Sequence, residues 1–291
     1  MNGLEFLLAG TLAAALPMLL AALGEMVVEK TGLLNLGLEG MMALGAAIAF
    51  ICVYQSGSHS VGFLAAAIIS AVLSMGFAGL VIGVRANEVA AGLAVGVLGL
   101  GLSALFGKSY ESLVISGLPK LGLPVLSDIP VIGSTLLTQD IVVWLAILGT
   151  VGLWYVLNHS KIGLIITAVG ENPEAARAIG YPVAKIRIAA VAFGGAMCGL
   201  AGAYASTVYT PLWADGMIAG RGWIALALVV FGTWKTGRVA FGALLFGILS
   251  LGELTAQAVG VALPSQVLSS LPYLVTILML VVISSRKARL A

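Results

Sequence analysis

The chain has 291 residues, 60% hydrophobic and only 9% charged, with 14 Lys and Arg against 12 Asp and Glu. A soluble domain carries about 25% charged residues, so most of this surface must face lipid rather than water. A net charge of +2 with no basic stripe gives no footing for nucleic-acid binding.

A spanning helix needs about 20 mostly apolar residues. The first candidate is 4–23. No basic region precedes it, so it reads as a retained span rather than a cleaved signal peptide. Residues 24–42 then read as a charged, glycine-bearing loop containing Glu25, Glu29, Lys30, Asn35 and Glu39. A carboxylate deep in a bilayer costs a few kcal/mol even on the lenient insertion scale. Such groups therefore face a cavity, pair with a cation or stay at the interface; Glu25, Asn35 and Glu39 are candidates for a substrate pathway.

Spans follow at 39–55, 60–84 and 88–107. Asn87 and Glu88 flank the last of these, where they can reach a central cavity or cap the helix. Gly107-Lys108-Ser109 looks like the end of a phosphate-binding loop, but Leu102 stands where that motif needs glycine. ATP hydrolysis therefore has to come from a partner. Residues 108–138, rich in Gly, Pro and Ser, form a long connection before a span at 139–157.

The polar connection 158–187 carries the densest charge in the chain. Within it Asn172 is a good N-cap and Pro173 suits the first helical position. Glu174 sits near the positive helix end, Ala175-Ala176-Arg177-Ala178 favours helix, and Gly180 is a natural stop. About two turns of helix are expected here, outside the bilayer.

The remaining spans are 186–209, 221–234, 239–261 and 270–285. The segment 221–234 has 14 residues and reaches about 21 Å, short of a core of about 30 Å. It is either a broken helix or one completed by irregular flanks. Glu253, with Gln257 one turn away, is the sharpest intramembrane charge, a functional candidate or a helix-locking hydrogen bond. Trp213, Asp215, Arg221 and Trp223 surround an outer turn, suited to the bilayer interface or to a binding protein.

The expected fold is an all-α polytopic membrane protein of about nine transmembrane helices (eight to ten), one domain over 1–291. Nine crossings with the N-terminus outside put Lys30, Arg85, Lys161, Arg177, Lys185, Arg187, Lys235, Arg238, Arg286, Lys287 and Arg289 inside, against Lys108, Lys120 and Arg221 outside. This is the positive-inside pattern. His59, His159, Cys52 and Cys198 lack metal-ligand spacing and read as packing or solvated residues; Gly92 with Gly96 and Gly195 with Gly199 have the spacing of close helix contact.

Glu174-Ala175-Ala176, three residues, then Gly180 resembles the coupling loop of ABC importer permeases, which docks into a groove on a cytoplasmic ATPase. With Gly24-Glu25 and Asn35-Leu36-Gly37-Leu38-Glu39-Gly40, and the Phe231-Gly232-Thr233-Trp234, Gly237-Arg238 turn, the chain is similar to the simple-sugar and nucleoside branch of those permeases, and more distantly to branched-chain amino acid permeases. The first motif is most like the nucleoside type. The extra N-terminal span of the ribose permease has no counterpart, in keeping with an outside N-terminus.

The resemblance implies a non-enzymatic transport subunit in a bacterial cytoplasmic (inner) membrane, with Asn172, Pro173, Glu174, Ala175, Ala176, Arg177 and Gly180 docking the ATPase. It also implies a second permease, a paralogue rather than a second copy, and an extracytoplasmic binding protein delivering a nucleoside or simple sugar. This chain would bind no cofactor; ATP and magnesium would sit on the ATPase. Two other readings are an ion-coupled carrier, with Glu25 or Glu253 as proton site, and a membrane enzyme. The second is disfavoured because no nucleophile stands beside a base and no metal cluster is present.

Overall fold

The computed structural model describes residues 3–120, 139–258 and 274. The described chain is helical: α1 Gly3–Lys30, α2 Leu38–Ser56, α3 His59–Ala78, α4 Glu88–Gly107, α5 Ile141–His159, α6 Lys161–Glu171, α7 Pro173–Ala178, α8 Val183–Tyr204, α9 Arg221–Phe231 and α10 Thr236–Ala258. Wider π turns prolong α3 over Gly79–Gly83 and α8 over Ala205–Tyr209. Among the described residues a single backbone bridge, Val114 with Leu212, is the one strand-like pairing.

Among the described residues, seven helices are long and apolar enough to cross a membrane: α1 to α5, α8 and α10. Apart from residue 274, the expected span at 270–285 lies outside the described residues, as do 121–138, the end of 239–261, and Arg286, Lys287 and Arg289. Chain reversals bring Lys30, Arg85, Lys161, Arg177, Lys185, Lys235 and Arg238 to one end of the bundle, hereafter the basic end.

Local chemistry sets several helix starts. Asn87 Oδ1 accepts from Ala90 N–H at 3.1 Å to cap α4, and Asp140 Oδ1 accepts from Val142 and Val143 N–H at 2.9 and 3.1 Å to cap α5. Tyr204 of α8 donates to the other Asp140 oxygen at 2.8 Å, tying two helices at that cap.

The core is built around α1. Met18, Ala21, Ala22, Leu23, Met26 and Val28 are each exposed by 1% or less, as expected for a helix apolar on every side. The helices α8, α9 and α10 pack against it. Small residues let neighbours approach closely. Gly40, two residues into α2, meets Gly96 and Gly99 of α4 backbone to backbone, leaving no room for a Cβ. Gly96 and Gly99 are the middle of α4, so α2 begins not at the membrane surface but roughly half-way along its neighbour.

The charged segment 24–42 departs from the sequence expectation. Gly24 does not break the helix, because it packs against Gly194 and Met197 of α8. The first helix continues through Glu25 and Glu29 to Lys30, and only residues 31–37 are irregular. Residues 221–234 also shorten, because Thr233 and Trp234 take left-handed φ values of 49° and 54° after α9 ends. The 11 residues of α9 reach about 16 Å, half of a bilayer core of about 30 Å. Irregular chain completes that crossing, as one of the two expectations held.

Candidate functional site

The basic end carries the expected capped helix. Asn172 Oδ1 accepts from Ala175 N–H at 2.9 Å, and Pro173 opens α7. At the other end Gly180 N–H donates to the Arg177 carbonyl and Tyr181 N–H to the Ala176 carbonyl, 3.0 and 3.1 Å. That pair of bonds needs a left-handed residue, and Gly180 supplies it with φ +95°. Ala176 is buried against Val169, Val183 and Ile165. Glu174, Ala175, Arg177, Ala178 and Gly180 are exposed, and Ile179 is 72% exposed. One small side chain anchors the helix and the rest of its surface is free to dock.

Behind it lies α6, a helix within the connection read from sequence as polar. Its Gly170 packs on the Lys30 carbonyl and the Gly32 nitrogen, so the α6–α7 pair rests directly on the 31–37 loop. That loop is held from three helices. Arg187 Nε of α8 donates to the Thr31 carbonyl at 3.0 Å; Leu34 N–H donates to Glu88 of α4 at 3.1 Å; Asn35 N–H donates to Glu25 of α1 at 2.9 Å. Asn35 Oδ1 in turn accepts from Gly37 N–H at 2.9 Å. Glu25, Asn35 and Glu88, candidates for the pathway, thus converge on one backbone segment, and Asn87 caps α4.

The 31–37 segment leads to a junction deep in the bundle. Glu39, in the first turn of α2, accepts from Gly220 N–H through Oε1 and from Gly222 N–H through Oε2, each at 2.7 Å. These are the free N–H groups at the start of α9, where a carboxylate is favoured by hydrogen bonding and by the helix dipole. Because Gly40 lies opposite Gly96 and Gly99, the start of α9 also stands level with the middle of α4. The chain reaches it from Trp213, which is 2% exposed and stacked over Gly107 at the far end of α4. Between Trp213 and Arg221 the chain descends about 12–16 Å, the rise of eight to eleven helical residues separating Gly107 from Gly99 and Gly96.

This geometry revises the outer cluster. Trp213 is a buried packing residue, set with Ala47 and Phe50, and Arg221 lies at mid-depth rather than at the outer surface. Its guanidinium sits 5.5 Å from the Tyr209 ring centre. Asp215 is exposed and, with Glu39 and Ser103, lines a cavity of about 20 Å³. Trp223 is exposed on α9. Glu253 is not part of the junction: it follows Leu251 of α10, which packs on Gly10 near the start of α1. His159 stacks on Tyr155, and among the described residues no three His, Cys, Asp or Glu side chains gather as metal ligands would. The link from Glu39 to α9 carried no sequence signal, since its partners lie 181 and 183 residues away.

The sequence matches the family described as branched-chain amino acid transport system / permease component over residues 7–284. It is 38% identical to a putative glucose ABC transporter permease protein of Haloferax volcanii, over 98% of this chain and 94% of that one. It is 31% identical to a nucleoside ABC transporter permease protein of Lactococcus lactis, over 96% and 92% of the two chains. A guanosine ABC transporter permease protein of Bacillus subtilis is also 31% identical, over 95% and 91%. No solved structure matches. With its apolar helices and a match that runs nearly end to end, the chain belongs to the branched-chain amino acid transport system permease family, as a multi-pass, non-catalytic transport subunit of an ABC transporter.

Proposed function

We propose that this chain is one half of the membrane pore of an ATP-driven importer for solutes bearing a sugar ring, with nucleosides first. The exposed, locally capped helix α7 carries the reading. Its surface is free, its two ends are fixed by Asn172 and Gly180, and α6 joins it to the 31–37 loop. An ATPase docked there would push on α7; rigid packing would pass the displacement to the loop and on to the Glu39–α9 junction. A second permease, preferably a paralogue, would complete the pore, and a binding protein would deliver the solute at the end opposite the basic one. The basic end would face the cytoplasm, by the excess of Lys and Arg there. The nucleoside reading rests on the first motif and on two relatives named for nucleoside and guanosine. The 38% identity to a putative glucose permease favours a second reading, a hexose, moved by the same machinery.

The test is uptake of labelled guanosine and labelled glucose into cells expressing the permease with its neighbouring ATPase, binding protein and second permease. Uptake of one or both that disappears with the ATPase supports the reading and assigns the solute. Uptake that persists without any ATPase overturns it in favour of an ion-coupled carrier.

A further inference from the structure

The helix α5 is loosely held: its buried residues, Val143 and Ala146, both lie in its first two turns. The helix α6 bridges from its inner end to α8. Gly163 packs on the Val156 and Leu157 carbonyls of α5, while Ile165 and Val169 pack with Val183 and Ile186 of α8. Beneath α6 lies a cavity of about 540 Å³, walled by Val27 of α1, Leu153 and Val156 of α5, Ile166 of α6, and Ala189 and Phe193 of α8. Among the described residues lining it, the Tyr181 hydroxyl is the one polar side-chain group. A sugar or nucleoside would leave its hydroxyls unpaired against such walls. Leu153, Val156 and Phe193 also line a second cavity, of about 710 Å³, which continues along α5 past Gly152 and Gly149. At both glycines a Cβ would meet no atom within 4 Å.

This space opens at the basic end, which the reading above places at the cytoplasmic side. On α6, Ile162 and Leu164 are 61% and 70% exposed, an apolar surface suited to the membrane interface rather than to water. The rim is positive. Lys161 stands four residues before Ile165, and Lys185 four before Ala189, so each lies on the cavity-lining stripe of its own helix. Both lysines are exposed. Glu171, the one carboxylate of α6, is at the other end of that helix, about 15 Å from Lys161 along its axis, and interacts with Lys30.

We infer that the space beneath α6 binds an anionic phospholipid of the cytoplasmic leaflet, with an acyl chain along α5 and the phosphate at the rim that Lys161 and Lys185 make positive. One leaflet's share of the bilayer core is about 15 Å, the rise of ten helical residues. A chain entering beside Leu157 therefore runs past Gly152 and Gly149, the two positions left open. Apolar walls suit the chain, and each lysine favours an anionic over a zwitterionic headgroup. The lipid fills the space behind the α6–α7 pair, so that a push on α7 reaches the 31–37 loop instead of collapsing α6 onto α5. That consequence rests on the importer reading; the lipid site does not.

The test places the complete transporter in nanodiscs of phosphatidylcholine and phosphatidylglycerol, then counts the phospholipid retained in mild detergent by native mass spectrometry. The wild type should retain phosphatidylglycerol in preference to phosphatidylcholine. Phosphatidylglycerol with a photoreactive acyl chain should label residues within 149–157 or 186–193. Lys161→Gln and Lys185→Gln should each weaken phosphatidylglycerol retention about fivefold, and together about thirtyfold, with the ATPase still bound. Gly152→Leu, whose side chain enters open space, should abolish the labelling. In proteoliposomes of phosphatidylcholine alone, solute moved per ATP should fall several-fold, and phosphatidylglycerol should restore it to the wild type but not to the double lysine variant. Equal retention of the two lipids by wild type and double variant, or labelling confined to other residues, would overturn the site. So would p-benzoylphenylalanine at position 152 crosslinking to the second permease or to residues 259–291, because a protein segment would then fill the space. Retention and labelling are read without transport: uptake that persists without the ATPase would overturn the importer reading and the coupling role, while retained and labelled phosphatidylglycerol still upheld the site.

Discussion

Glu39 and Gly222 decide whether α9 can start where it does. A Cβ at Gly222 would lie 2.5 Å from the Glu39 nitrogen and 2.8 Å from Oε2. Gly222→Ala must therefore push α9 off α2, at a cost of about 1–3 kcal/mol typical of overpacking. Glu39→Ala leaves two backbone N–H groups unpaired, about 1–3 kcal/mol for each, whereas Glu39→Gln keeps one acceptor oxygen and should lose less. Thermal melting in detergent should rank the four proteins as wild type, Gln, then Ala and the glycine variant. Equal melting temperatures for Glu39→Ala and wild type would contradict the junction. The carboxylates at 25 and 88 show what the sequence could reveal at this scale. Their unusual setting was legible, but their partners, the N–H groups of Asn35 and Leu34, were not, because the bonds tie helices α1 and α4 to the irregular 31–37 loop.

At the scale of elements, α7 was legible almost residue by residue, because its cap, first-turn proline and terminal glycine act within a few positions of one another. Space around Gly180 is open, so a side chain there meets no neighbour and the penalty is in the backbone. At φ +95° a substitution such as Gly180→Leu costs about 1–2 kcal/mol and loosens the closure through Tyr181. Such a variant should assemble yet hydrolyse ATP without import, as read by ATPase activity against uptake. Glu174→Lys reverses an exposed charge and should reduce co-purification of the ATPase; equal recovery would place the dock elsewhere. The 31–37 loop makes a third case. Arg187→Met removes the bond to the Thr31 carbonyl without touching α7, so import should fall several-fold while ATPase binding remains. Loss of ATPase binding in that variant would deny the loop its transmitting role.

For the molecule as a whole, orientation is the testable quantity. Lys161 lies exposed at the basic end, at the start of α6. Lys161→Cys should be labelled by an impermeant thiol reagent in inverted vesicles and protected in right-side-out ones. The opposite pattern would invert the pore and place α7 outside the cell.

Hydropathy and the positions of Lys and Arg determined, without tertiary information, that this is a helical membrane protein and where most of its spans lie. Those properties are sums over consecutive residues, and the bilayer reads them locally. The caps of α4 and α7 belong to the same class. Tertiary structure alone decided that α1 runs on to Lys30 past Gly24, that α2 and α9 both begin at mid-depth, and that Glu39 joins them. Each depends on backbones brought together by small residues far apart in sequence, as Gly24 meets Gly194 and Gly40 meets Gly96. A glycine carries no mark of the partner it will meet, and a carboxylate no mark of the helix end it will hold.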